Sequence, residues 1–265
     1  VKLTIVGCTG SFPGPGSPAS CYLLTANDGE RNWKIVLDLG SGALGAIQRY
    51  TDLEDIDGIF LTHLHPDHCM DLCGLHVAVR WKPGGWGGGR IPVWGPAATA
   101  DRMATAYGLK LDPGMHQEFD FSNWAERKPV AVGPFTVTPY TVNHPVEEAY
   151  ALRVDVTEPG KDGTPVTRVL SYSGDTDSCR GLEDAARGAD LFLCEAAFEE
   201  GRDDAIKDVH LTGKRAGEAA EAAGARRLLL THIPVWTSPT TVMAEAKQVF
   251  SRDVAVAVAG VHYTI

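Results

Sequence analysis

The stretch Ile59-Phe60-Leu61-Thr62-His63-Leu64-His65-Pro66-Asp67-His68 places three imidazoles and a carboxylate behind a short apolar run. The run predicts a strand. His63 and His65 lie two residues apart, so in extended chain leaving that strand both rings point the same way and can meet one cation. Pro66 suits the first position of a helix, where the N–H that proline lacks has no helical partner in any case. Asp67 and His68 then fall in the opening turn, facing back toward the same space, so that one segment can serve two ions. Neutral imidazole and carboxylate are the donors that zinc and similar divalent metals prefer. The competing reading is a polar surface loop that is merely rich in histidine.

Working outward, other apolar runs end on single donors. Phe135 to Val142 runs into Asn143-His144-Pro145, Arg168 to Ser173 into Gly174-Asp175-Thr176, and Leu228-Leu229-Leu230 into Thr231-His232. In α/β sheets ligands collect beyond the carboxyl ends of strands, so four strand exits are expected to converge on one cleft between two β-rich halves flanked by helices. Taken alone, His144 or His232 reads as a hydrogen-bonded core or turn histidine.

Upstream, Lys2 to Gly7 predicts a strand, and Cys21 to Leu24 with Trp33 to Asp38 a hairpin turning at Asn27-Asp28-Gly29. Asp38 after that hairpin either supports the site from behind or makes an Asx-turn. The Gly-rich loop at 10–18 lacks the Gly-Lys-Ser/Thr of a phosphate loop. Helices are expected at 43–50, 67–80 and 97–107, with Asp71, Cys73 and His76 as ordinary helix-face residues. The segment Trp86-Gly87-Gly88-Gly89 is a flexible loop and a candidate lid. From 107 to about 129 the chain reads as irregular, with His116 on the surface. A strand at 149–156 and a turn at 159–163 follow His144. Val209-His210-Leu211-Thr212 precedes a helix at 213–223, capped by Thr212 and Gly224.

The His-x-His-x-Asp-His pattern behind an apolar strand resembles the signature of the metallo-β-lactamase superfamily, and the later motifs follow in the same order. The resemblance implies an α/β fold, a four-layer αββα sandwich, formed as one domain over residues 1–265 from two β-rich halves. It implies two divalent ions: His63, His65 and His144 on one, Asp67, His68 and His232 on the other, with Asp175 between them. Zinc fits this donor set best, and manganese or iron also fit. Such a pair lowers the pKa of a shared water and stabilises charge on a phosphoryl group. An Asp at 175, where classical β-lactamases carry Cys, resembles the phosphodiesterase and ribonuclease Z side. The segment at His210 is similar to the His-Ser-Thr segment of ribonuclease Z, with Leu211 replacing Ser. By that likeness His210 protonates the leaving group, and Asp67 and Asp175 join it as catalytic residues. The alternative is a His that stabilises a loop ahead of a helix, for which the sequence offers no partner. Glu148, Tyr150 and Arg153 are candidates to orient His210 or to contact phosphate.

Ribonuclease Z also carries a long arm that grips transfer RNA, between the strand bearing the third His and the strand bearing the bridging Asp. Here the segment from Pro145 to Ser173 is short. The formal net charge of −10 and pI of about 5.3 argue against a surface for long polyanions, while two cations would still make a cleft locally positive. The resemblance therefore narrows to bacterial cyclic-nucleotide phosphodiesterases, with a small anionic phosphodiester as partner, no nucleic acid and no membrane; a homodimer is expected from the same likeness. Alternatives are a transfer-RNA 3′ endonuclease using Lys214, Arg215, Arg226 and Arg227, a hydrolase of a non-phosphate ester, lactone or sulfate ester, and a non-catalytic metal-binding or partner-binding protein. The 44% hydrophobic and 22% charged content is that of a globular chain. The start of the sequence shows no signal-peptide pattern, although a leader removed before Val1 would leave no trace. The six cysteines form no C-x-x-C pair and read as free thiols in a reducing compartment, the cytoplasm.

Overall fold

Alternation of apolar side chains sends successive strand residues to opposite faces, and here most strands bury both. The computed structural model describes residues 1–160 and 162–265. One sheet holds β1 (Lys2–Gly7), β2 (Cys21–Asn27), β3 (Asn32–Leu37), β4 (Gly58–Phe60), β5 (Ile91–Gly95) and β6 (Phe119–Asn123). It is completed by β14 (His262–Thr264), which pairs beside β1. The second holds β7 (Val130–Val132), β8 (Phe135–Thr141), β9 (Tyr150–Pro159), β10 (Pro165–Tyr172), β11 (Leu191–Glu195), β12 (Arg227–Thr231) and β13 (Asp253–Val256) in sequence order. In each sheet the pairings begin antiparallel and turn parallel, at β3–β4 in the first and at β10–β11 in the second.

The helices are α1 (Ala43–Ile47), α2 (Pro66–Cys69), α3 (Leu72–Trp81), α4 (Thr99–Tyr107), α5 (Arg180–Ala186), α6 (Gly213–Ala223) and α7 (Pro239–Lys247). Three apolar clusters define four layers. Leu3, Tyr22 and Phe60 of the first sheet meet Phe135, Leu152 and Tyr172 of the second. The opposite face of the first sheet, through Leu23, Val36 and Ile59, packs on Ile47, Leu75 and Met103 from α1, α3 and α4. The outer face of the second, through Phe192, Leu228 and Leu230, packs on Leu182, Ala216 and Val242 from α5, α6 and α7. The αββα sandwich expected from the resemblance is the fold observed.

Several elements differ from expectation. The helix expected at 67–80 breaks at Met70-Asp71, because the chain just after β3 competes for its backbone. Leu39 N–H donates to His68 O at 2.8 Å, and Asp71 N–H donates to Leu39 O at 3.1 Å. The stretch expected to be irregular contains β6, whose Phe119 and Phe121 alternate with polar residues. Strands β7, β11, β13 and β14 and helices α5 and α7 arise where no element is expected. The caps of α6 are as read: Thr212 Oγ1 accepts from Arg215 N–H, and Gly224 takes the left-handed conformation at φ 67°. The turn expected at 159–163 includes Lys161, which lies outside the described residues. All six cysteines are free, and no helix of the described residues is long and apolar enough to cross a membrane.

Candidate metal centre

β4 releases the chain through Leu61 and Thr62 into His63, and His65 stands at the N-cap of α2 in extended conformation with Pro66 at the first helical position. The turn is held from beneath by Asp38, a buried carboxylate just past β3 with φ at 54°. Asp38 Oδ1 accepts Thr62 N–H at 2.8 Å, and Oδ2 accepts the Tyr172 hydroxyl at 2.8 Å and His68 Nδ1 at 2.7 Å. Of the two readings of Asp38, the structure selects the supporting one. Because Nδ1–H of His68 is committed to Asp38, its Nε2 turns a lone pair toward the centre, the arrangement that orients a metal-binding imidazole.

The second sheet delivers its donors one exit at a time. His144 follows β8, Asp175 follows β10 and His232 follows β12. The first two exits are stitched together, with Asp177 N–H donating to Asn143 O at 2.7 Å and Asn143 N–H to Thr176 Oγ1 at 3.1 Å. His144 Nδ1–H donates to Val209 O at 2.8 Å, so its Nε2 faces inward, 3.2 Å from His65 Nδ1. His232 sits in the left-handed region at φ 54°, uncommon for a residue with a side chain. Gly10 packs so close beneath it that an added Cβ would lie 2.4 Å from His232 O.

All seven expected ligands come together. They form two clusters, His63, His65, His144 and Asp175, and Asp67, His68, Asp175 and His232; within each, the donor atoms lie within 4.8 Å of one another. Asp175 belongs to both. His63 Nε2 is 3.0 Å from His65 Nδ1, and His68 Nε2 is 3.2 Å from His232 Nε2. A contact between two ring nitrogens can share at most one proton. Asp175 Oδ1 lies 3.1 Å from His68 Nε2, yet like His232 Nδ1 it is buried with no hydrogen-bond partner among the described residues. Converging lone pairs and an orphaned carboxylate oxygen are what a divalent cation satisfies, and the donor set fits one.

The electrostatics agree. Burial lowers the pKa of His63, His65 and His144, which keeps them neutral and able to donate a lone pair. Burial opposes ionisation of Asp67 and Asp175, but the imidazoles of His68 and His232 outweigh it and hold both well below the usual carboxylate range. For His68 burial is outweighed by Asp175, Asp38 and Asp67, which push it well above its ordinary value.

His210 stands beside both clusters, its ring centroid 5.4 Å from those of His144 and His232. Its partner, absent from the sequence reading, is Glu195 at the end of β11, with Nδ1 to Oε1 at 2.8 Å. Glu195 is fully buried and also accepts Thr176 N–H at 2.8 Å and Ala197 N–H at 3.2 Å. The signal was the apolar run Leu191-Phe192-Leu193-Cys194 closing on an acid. The three residues suggested as partners of His210 lie elsewhere. Arg153 pairs with Asp155 and donates to Arg187 O, Tyr150 packs between the sheets, and Glu148 accepts Ala97 N–H at 2.7 Å. Asp71 instead accepts Leu44 N–H, His76 faces Glu118, and His116 is exposed; none of these joins the two ligand clusters. The Gly-rich segment is no lid: Gly87 N–H and Lys82 Nζ both bind Glu54, on the helix-covered side of the first sheet.

Known proteins resemble this chain over most of its length. Residues 35–233 match the family model described as Beta-lactamase superfamily domain. Rv1339, an uncharacterized protein of Mycobacterium tuberculosis, is 42% identical over 257 residues, covering 96% of this chain and 88% of that one. The probable metallo-hydrolase YhfI of Bacillus subtilis is 29% identical over 98% of both chains, and its crystal structure superposes with a TM-score of 0.82 over 99% of both. A ribonuclease Z of Lachnoclostridium phytofermentans is 25% identical, covering 94% of this chain and 93% of its own.

Proposed function

The chain belongs to the β-lactamase superfamily, and from that membership we propose that it is a binuclear metal-dependent phosphodiesterase that hydrolyses a small phosphodiester, a 3′,5′-cyclic nucleotide, to the monophosphate. The observation that carries the reading is the joining of two donor clusters through Asp175 with the His210–Glu195 pair beside both.

His63, His65, His144 and Asp175 would hold one ion, and Asp67, His68, His232 and Asp175 the other; their N/O donors suit zinc, with manganese or iron as alternatives. When bound, such a pair supplies an acidified water and neutralises charge on phosphoryl oxygens. The remaining work falls to the chain. Burial lowers the His210 pKa, but the Glu195 carboxylate outweighs it and raises the value to about 9, so the ring carries a proton at neutral pH. With Nδ1–H committed to Glu195, Nε2–H is the proton available to substrate. As a water oxygen bonds to phosphorus and gives up one proton to solvent, the bond from phosphorus to the leaving oxygen breaks and His210 passes its Nε2 proton to the departing oxygen, to be reprotonated from solvent afterwards. Asp67, ionised throughout, is placed to accept a hydrogen bond from the incoming water and orient it.

A small substrate is supported by the second sheet. Strands β8, β9 and β10 pair as an antiparallel meander joined by short connections, and the chain carries a net charge of −10. Both features favour a small anion over RNA. The test is turnover of 3′,5′-cyclic AMP by protein reconstituted with zinc or manganese, beside an Asp175→Ala control. Formation of 5′-AMP that disappears in the control is the expected result. A fully metallated protein that leaves cyclic nucleotides intact and cuts precursor transfer RNA or a non-phosphate ester would overturn the substrate reading.

A further inference from the structure

A cleft of about 480 Å³ opens directly on His65, within the ~300–1,000 Å³ range of small-molecule sites. Its walls come from three loops and helix α4. Leu64 lies between two candidate ligands, Pro96 and Ala98 lead into α4, and Val146 follows His144. The loops are clasped across the cleft by the Glu148 carboxylate on Ala97 N–H at 2.7 Å, so the shape is held without a ligand. Two charged side chains at the lining are left over. Arg102, one helical turn beyond Ala98 on the same face of α4, is the one Lys or Arg lining the cleft among the described residues, and Glu147 lines it from the loop after His144. Both are exposed, and neither makes an ion pair with a described residue.

We propose that this cleft is the seat of the substrate's base, and that Arg102 and Glu147 read the edge of a purine ring; the inference rests on the phosphodiesterase reading above and names the specificity of that site. The chemistry is complementary. Leu64, Pro96, Ala98 and Val146 offer apolar surface to the faces of a flat bicyclic ring. A guanidinium donates to ring nitrogen and carbonyl acceptors, and a carboxylate accepts from ring or exocyclic N–H groups; a purine carries both kinds on its edges. The cleft meets the ligand array at His65, so a base seated there leaves its phosphate over the two clusters and its leaving oxygen toward His210. A simple alkyl phosphodiester would leave the apolar walls wet and both charges unused.

The experiment has two arms. In the first, the metal-loaded enzyme and its Arg102→Ala and Glu147→Gln variants are assayed on cyclic AMP, cyclic GMP and cyclic CMP. Each variant is expected to raise KM for the purine substrates by roughly tenfold or more, with kcat changed less, and to narrow the purine over pyrimidine preference. In the second, calorimetry follows 5′-AMP, 5′-GMP and 5′-CMP binding to metal-free protein, which needs no turnover. Cyclic nucleotides hydrolysed with KM and base preference unaltered in both variants would overturn the inference and leave the phosphodiesterase reading standing. If no cyclic nucleotide is hydrolysed, that reading fails, and the binding arm decides the cleft by itself: purine monophosphate binding that weakens in both variants supports it, and no binding overturns it. Purine binding lost instead in Trp236→Ala would place the base on the exposed Phe12–Trp236 pair beside His232 and overturn the cleft assignment.

Discussion

Both sheets pass from antiparallel to parallel pairing, and both release their donors just past strand ends, yet they distribute those donors differently. In the first sheet one turn between β4 and α2 delivers His63, His65, Asp67 and His68. In the second, β8, β10, β11 and β12 each contribute one of His144, Asp175, Glu195 and His232. A cluster within six residues owes its geometry to local backbone and to Asp38 beneath it. A scattered set owes its geometry to the register of a whole sheet. The first is secured by one supporting side chain and is vulnerable there; the second is secured by many backbone contacts, and single side-chain changes behind it do less.

Asp175 is where the two schemes meet. Asp175→Ala is expected to cost activity by on the order of 10⁴-fold or more, above the range for losing a proton donor alone, and to lower metal content measured by elemental analysis. Full metal content in that variant would show two independent clusters and break the comparison. His210→Ala should lose about 10²–10⁴-fold in kcat with metal content retained, which separates proton delivery from ligation.

A third effect reads the His210–Glu195 pair in metal-free protein. The pKa of His210 is raised from 6.5 to about 9 in the folded state. Its contribution to stability is therefore fully present below the unfolded value and is lost as pH rises through about 9, amounting to roughly 3 kcal/mol by linkage. Denaturant unfolding at pH 6 and pH 10 measures it, and His210→Gln should flatten that part of the profile. The smallest expected effect sharpens the contrast between halves. Asp38→Asn should weaken metal binding by about 10–100-fold by releasing His68, whereas His144, oriented by the backbone carbonyl of Val209, offers no comparable side chain to remove.

The same contrast explains what could be read from the sequence. The four donors of the first turn were legible because spacing alone puts them in one place, and Pro66 marked the helix start. His144, Asp175 and His232 were legible as donors at strand exits, but their assignment as ligands came through the resemblance, since nothing local in Asn143-His144-Pro145 says which other strands stand beside it. Glu195 was missed altogether: β11 is a five-residue apolar strand whose acid becomes meaningful only when β10 and β12 flank it. The break between α2 and α3 was illegible for a related reason, as the competing groups belong to Leu39, distant in the chain. Helix α7 carried a local signal that went unread, Ser238 as N-cap ahead of Pro239.

The pairing of β14 with β1 has a consequence for biogenesis. Lys2 faces Thr264 and Thr4 faces His262, so β1 finds its outer neighbour only after all the other strands of both sheets have been made. At cellular elongation rates the interval is on the order of tens of seconds. Throughout it β1, with five of six residues destined for burial, presents an open apolar edge. Contacts of such long sequence separation also form slowly. The quantity most exposed to this delay is the yield of native chain in the cell, set by chaperones and competing aggregation, and not the turnover of the molecules that complete the sheet.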